Sequence, residues 1–310
     1  MRDSDGWWKV EMIEVAIFSY NRVDYLRNCV ESVRRNLPQA KLRIFDDGSD
    51  DPAMLSYLMT LKAEVVRAEA TDQARHGGLY RNMQRAFETA TSEFLLLLQD
   101  DTQIVRPVDT EDEASIARIF EANESRAFVS VLFMKAARMR RFRRELSPYG
   151  DEGLYRTARG ISDKNFARRL AYFDVTLCHV ARLRAANWVF KPSERGNVEC
   201  ARRLFEDMPV MKAPFVFFCP EVPFFRNRSK TYGARLALRV VGSDLKCFYD
   251  LDPGTVARLK ERPLEDWPIA ENWLTPTNPK VKRPFVFKDV SARWWLSALH
   301  KIEMSYFRPK

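Results

Sequence analysis

Two adjacent carboxylates, Asp100 and Asp101, directly follow the run Leu95-Leu96-Leu97-Leu98-Gln99. Four consecutive leucines are too few to span a membrane and spell a buried strand, so the acids fall where that strand ends. A carboxylate in such a place loses hydration and needs a cation nearby. A divalent metal carrying a phosphorylated ligand would meet that need, because hard cations take oxygen ligands and Mg²⁺ often uses only one or two protein carboxylates. The plain alternative is an acidic pair that merely forms a turn. Two further polar clusters tip the balance. Ser19-Tyr20-Asn21-Arg22 follows the β-rich stretch Met12–Phe18, and Asp46-Asp47-Gly48-Ser49-Asp50-Asp51 follows Leu42-Arg43-Ile44-Phe45.

The elements that must position these clusters alternate along the chain. Tyr25, Leu26, Cys29, Val30 and Val33 form one helical stripe that Pro38 stops. A second helix is expected over roughly 53–62, a strand at Glu64–Arg67, and a helix over Leu79–Thr89 after the polar loop His76-Gly77-Gly78. Strands alternating with short helices predict βαβ units and a parallel sheet, in which ligands bind beyond the carboxyl ends of the strands. All three clusters fall at such ends and can line one crevice. The first strand is not followed by G-x-G-x-x-G, and no G-x-x-x-x-G-K-[ST] occurs, so an ordinary dinucleotide fold and a P-loop ATPase both lose ground. A diphosphate held here needs a metal to neutralise it, and Arg75 or Arg81 offers a fixed positive charge against the same phosphates.

The series VAIFSYNR, RIFDDGSDD and HGGLYRNMQRAFETATSEFLLLLQDDTQIV, in that order and spacing over residues 12–105, resembles the family 2 glycosyltransferases. The resemblance implies a GT-A fold, Rossmann-like with a mostly parallel central sheet flanked by helices. It implies that Asp47 reads the base of a nucleotide-sugar and that Ser19, Tyr20, Asn21 and Arg22 line the nucleotide pocket. Asp100 would bind ribose, and Asp101 would be the direct ligand of Mn²⁺ or Mg²⁺. The first acid of the family's D-x-D element is replaced here by Gln99. Sugar transfer with inversion needs a carboxylate to take the acceptor's proton. The family's acidic helix-start element is best matched by Gly196–Leu204, which makes Glu199 a candidate base. Asp174 is a second candidate, and Glu206 and Asp207 are weaker ones.

Past residue 105 the resemblance fades. The expected organisation is a nucleotide-sugar-binding half (1–105), an acceptor-binding half (106–230) and a helical, basic C-terminal extension (231–310). Residues 1–105 hold 13 Lys and Arg against 17 Asp and Glu, so the net charge of +9 comes entirely from the rear. There Arg138-Met139-Arg140-Arg141-Phe142-Arg143-Arg144 is suited to an anionic acceptor, a lipid diphosphate or an acidic glycan, or equally to a solvated face. His179 reads as a structural histidine. Trp295, Leu299, Ile302 and Tyr306 share a helical face that fits either an anionic membrane or, in the more ordinary reading, packing against the core or a second subunit. Five cysteines without CxxC spacing indicate reduced thiols. The start has no apolar signal core, so the expected location is cytoplasmic, with peripheral contact at the inner membrane face left open. The expected partners are a nucleotide-sugar, UDP-linked as the first guess, and a glycan or lipid-linked acceptor in bacterial polysaccharide or glycolipid synthesis; nucleic acid is not expected. Two competing readings are a sugar-nucleotidyltransferase and a non-catalytic basic protein that binds membranes or nucleic acid.

Overall fold

The computed structural model describes residues 12–68, 78–150, 153–157, 174–205, 208–219, 246–279, 281, 284–285, 294–295, 298–299 and 302. Its strands are β1 (Ile13–Ser19), β2 (Lys41–Asp46), β3 (Glu64–Arg67), β4 (Phe94–Gln99), β5 (Thr102–Ile104), β6 (Phe128–Val129), β7 (Leu146–Tyr149), β8 (Leu154–Thr157), β9 (Thr176–His179), β10 (Val210–Met211) and β11 (Val216–Phe218). The helices are α1 (Val23–Asn36), α2 (Pro52–Thr60), α3 (Leu79–Glu88), α4 (Thr110–Glu121), α5 (Met139–Glu145), α6 (Val180–Ala185), α7 (Glu194–Leu204), α8 (Pro253–Glu261) and α9 (Ala270–Trp273).

The central sheet has the order β3-β2-β1-β4-β9-β6. β1 pairs in parallel with β2 and β4, β2 in parallel with β3, and β9 runs antiparallel between β4 and β6. This is the α/β architecture with a mostly parallel, helix-flanked sheet that the resemblance implies. The chain steps from β1 outward to β3 and then returns to place β4 on the other side of β1. Strand order therefore reverses at β1/β4, where an open parallel sheet leaves a crevice.

Alternation along the strands builds the two faces of the core. Val15, Ile17, Ile44, Leu96 and Leu98 pack with Leu26, Val30 and Val33 of α1 on one face. Ala16, Phe18, Phe45, Leu95 and Leu97 pack with Met83 and Phe87 of α3 on the other. Local chemistry starts the helices. Asp51 accepts from Met54 N–H at 3.0 Å with Pro52 in the first turn of α2, and Asp109 and Asp112 form a reciprocal capping box on α4.

A buried ion pair that patterning does not reveal crosses two strands of the sheet. Glu14 and Arg43 are almost fully buried on adjacent strands, 2.8 Å apart, with Glu64 3.1 Å from the same guanidinium. Arg43→Met leaves Glu14 as a buried charge and is expected to lower stability by about 3–5 kcal/mol. Urea unfolding checks this, and adding Glu14→Met to the variant is expected to recover most of the loss.

The apolar stretch Val210–Phe218 holds two short strands. β10 joins β8 and β7, while β11 pairs antiparallel with β5. Residues 246–279 lie against the core: Phe248, Leu251, Val256 and Leu259 pack with Val105, Phe133 and Phe217, and Gln103 exchanges two hydrogen bonds with the Phe248 backbone. Trp294 and Ile302 are exposed, whereas Tyr306 and residues 231–245 of the expected helical extension lie outside the described residues. No helix among the described residues is long and apolar enough to cross a membrane.

Candidate active site

β1 ends at Ser19, β2 at Asp46 and β4 at Gln99, and the parallel register sets Ser19 beside Asp46 and Phe18 beside Gln99. The chain stays in step just past these ends: Asp47 N–H donates to the Ser19 carbonyl at 3.0 Å and Asp100 N–H to the Phe18 carbonyl at 3.0 Å. The three clusters thus meet at one sheet edge, at the β1/β4 reversal.

Asn21 shapes the first turn. It adopts φ 50°, a left-handed conformation that asparagine tolerates better than most residues. Its N–H donates to Ser49 Oγ at 2.9 Å, and its side-chain oxygen accepts from Asp50 and Asp51 N–H at 3.0 Å each. Asn21 therefore ties the turn after β1 to the loop after β2. The acids of that loop divide by role. Asp46 is buried and accepts from Ser49 N–H and Oγ; Asp50 and Asp51 hold Asn21 and the start of α2. Asp47 is the one that reaches across to Gly78, accepting its backbone N–H at the start of α3.

Gly78 is required by close approach. A methyl group there would overlap the Asp47 carboxylate and lie 2.9 Å from Nη2 of Arg81. Arg81 thereby joins Asp47 at the start of α3, whereas Arg75 lies outside the described residues. Gly78→Ala is expected to push Asp47 from its seat at a stability cost of about 1–3 kcal/mol. Thermal melting and titration with uridine check it; an unchanged melt and unchanged binding would count against the placement.

Asp100 and Asp101 are buried, with 1% and 2% of their surface exposed. Arg22 forks over both: its Nε lies 3.1 Å from Asp100 Oδ2, its Nη2 meets Asp100 Oδ1, and its Nη1 lies 3.3 Å from Asp101 Oδ2. Burial pushes the Asp100 carboxyl well above the usual carboxylate range; Arg22 pulls it down and the charge of Asp101 pushes it up again. Asp101 Oδ1 is buried and has no hydrogen-bond partner. Such an oxygen carries a desolvation penalty that a cation would remove.

Asp174 stands across the ladder from the same motif. β9 runs antiparallel to β4 with Thr176 opposite Leu97, so Asp174 falls opposite Gln99, whose Nε2 donates to Asp174 Oδ2 at 3.2 Å. Gln99, the departure from the D-x-D pattern, thus orients a further carboxylate. Glu199 has a different setting on α7: its side chain is 45% exposed and Arg195 Nε lies 2.7 Å from it, one helical turn away. Glu206 and Asp207 lie outside the described residues. His179 is structural, packed edge-on against Phe94 and Phe120 with ring centres 5.4 Å away in each case. The five cysteines are unpaired thiols.

Sequence reasoning missed Lys135. It follows the segment that continues β6, and its ammonium rests 5.2 Å and 5.4 Å from the ring centres of Phe217 and Phe218. Burial and the neighbouring Arg138 push it down to about 8, against the pull of Glu271 and Asp101. Between pH 8 and the ordinary lysine value the unfolded chain holds a proton that the folded chain has released, so stability attributable to this group rises with pH. Relative to Lys135→Met, the wild type is expected to gain in urea midpoint between pH 7.5 and 9.5.

Residues 14–112 match the model of glycosyl transferase family 2. This stretch, about a third of the chain, is similar to the family 2 glycosyltransferases. The match holds β1 to β5 and every acid-bearing strand end described above except Asp174. Among solved structures, the chain is similar to S. aureus TarS 1-349, with 13% identity, a TM-score of 0.44, and coverage of 80% of this chain and 69% of that one. It is similar also to the mannosyltransferase PcManGT from Pyrobaculum calidifontis in complex with GDP-Man and Mn²⁺, with 13% identity, a TM-score of 0.43, and coverage of 82% and 70%. Glucosyl-3-phosphoglycerate synthase from Mycobacterium tuberculosis gives 16% identity, a TM-score of 0.29, and coverage of 41% and 46%. No curated protein sequence matches the chain.

Proposed function

We propose that the chain transfers a sugar from a nucleoside-diphosphate sugar, with UDP the first nucleotide to test, to an acceptor hydroxyl with inversion. The observation that carries this reading is the gathering of Ser19, Asp47, Asp100 and Asp101 at the β1/β4 reversal, with one oxygen of Asp101 buried and unbonded.

Each side chain has a role that its setting suits. Asp47 accepts an N–H of the base, much as it accepts the Gly78 N–H. Asp100 accepts ribose hydroxyls, and Arg81 supports the phosphates from the start of α3. A divalent ion fits the donor set. Asp100 and Asp101 offer hard oxygen ligands, and among the described residues no group of three or more His, Cys, Asp or Glu side chains gathers to cage an ion, so phosphate and water would fill the rest of the shell. Mn²⁺ or Mg²⁺ held at Asp101, with Asp100 in support, would act as a Lewis acid on the departing diphosphate. Arg22 balances the two acids and must share or release them when an ion binds.

Asp174 is the favoured base. It lies at the same sheet edge, and the amide of Gln99 fixes one oxygen so that the carboxylate can face an acceptor hydroxyl. Glu199 is the alternative. The acceptor is proposed to be a glycan or lipid-linked glycan handled by residues 106–230, in polysaccharide or glycolipid synthesis, with peripheral attachment to a membrane open to test.

Isothermal titration of UDP, GDP and dTDP with and without Mn²⁺ tests the core of the reading. Metal-dependent binding of one nucleotide is the expected result. Absence of such binding for all three would overturn the reading.

A further inference from the structure

The C-terminal segment is tied to the core at Phe285, whose ring centre lies 5.3 Å from that of Phe248 and 6.0 Å from that of Phe217. Phe217 belongs to β11, the partner of β5, and β5 starts directly after Asp100 and Asp101. Trp294 follows Phe285 by nine residues. Even fully extended, that length of chain reaches at most about 30 Å.

Trp294, Trp295, Ala298, Leu299 and Ile302 are helical. At about 3.6 residues per turn they spread over about 140° and share one face. Ala298 and Leu299 are half-buried, whereas Trp294 is 82% exposed, Ile302 56% and Trp295 39%. Large apolar side chains gathered on one outward face mark an interaction surface.

The charge around that face selects its occupant. Residues 281–310 hold seven Lys and Arg against two Asp and Glu, with Arg293 directly before the tryptophan pair and Lys301 directly before Ile302. A second copy of the chain would bring two basic segments together, and they would repel. An anionic lipid surface neutralises them instead. The indole ring, apolar in body with one polar N–H, suits the boundary between headgroups and acyl chains.

We infer that the face carrying Trp294, Trp295 and Ile302 lies on an anionic membrane surface. With Phe285 fixing the root of the segment beside β11, this seat keeps the crevice near the bilayer, within reach of an acceptor carried on a lipid. That choice of acceptor rests on the transferase reading; the membrane surface does not.

Flotation of the full chain with vesicles of phosphatidylcholine and phosphatidylglycerol tests the surface. Binding is expected, with a blue shift of tryptophan emission and a loss of affinity as salt rises. The double variant Trp294→Ser, Trp295→Ser should bind about tenfold more weakly, the effect of withdrawing large apolar side chains from the interface. Trp294→Ser alone, at the most exposed of the three positions, carries the test if the double variant does not fold. No binding by the wild type, equal binding to phosphatidylcholine alone, or unchanged binding by the variants would overturn the inference. So would a dimer that the variants disperse while vesicles are left unbound, because the face would then belong to a second copy. Vesicle binding by a wild type that takes no nucleotide would strike the transferase reading alone.

Discussion

Asp101→Asn will lower sugar transfer by about 10²–10³-fold, the scale seen when a preorganised group that stabilises developing charge is removed. In the proposed reaction the charge develops on the departing diphosphate, and Asp101 carries a buried oxygen that no hydrogen bond satisfies. The variant is expected to lose the Mn²⁺-dependent part of nucleotide binding, read by titration. Stability should move the other way. Asp101 is one of two neighbouring carboxylates buried together under a single arginine, so replacing one by a neutral amide removes like-charge repulsion and desolvation. A melting temperature equal to or above that of the wild type, together with lost activity, is the expected signature of a site kept at the expense of stability. Full activity in Asp101→Asn would refute the role given to it.

The second large effect separates the two candidate bases. Asp174→Asn should reduce turnover by about 10²–10⁴-fold while nucleotide binding holds, because a general base acts on the acceptor and not on the donor. Glu199→Gln should change turnover little. It breaks an exposed pair with Arg195, and such pairs contribute about 0.2–1 kcal/mol at most. The reverse outcome, with Glu199 essential and Asp174 dispensable, would return the assignment to the helix-start element that the family resemblance favours. Nucleotide titration of both variants shows whether either has lost the donor site.

The ends of β1, β2 and β4 were legible in the sequence because each is a run of apolar residues that stops abruptly at polar ones. Ser19, Asp46 and Gln99 close their strands where the hydrophobic pattern breaks, and Asp51 with Pro52 announces α2 by local chemistry alone. The division of labour within Asp46–Asp51 was not legible. Four acids in six residues look alike until the fold shows Asp46 buried under Ser49, Asp50 and Asp51 serving Asn21 and α2, and Asp47 alone turned toward Gly78. The apolar stretch Val210–Phe218 divides into two strands because its ends find different partners, β8 and β5, in separate sheets.

What the order of residues determined by itself is therefore the α/β alternation and the presence of chemistry-bearing strand ends. Both follow from interactions a few residues long, namely side-chain periodicity, capping and turn formation. The tertiary structure decided which of those ends meet and what faces them. The fork of Arg22 over Asp100 and Asp101, the contact of Gln99 with Asp174, and the seat of Lys135 on Phe217 and Phe218 each join residues more than 70 positions apart. Such contacts depend on strand order and register. No local pattern records that β9 enters the sheet beside β4, and it is that pairing which places a further carboxylate, Asp174, at the crevice.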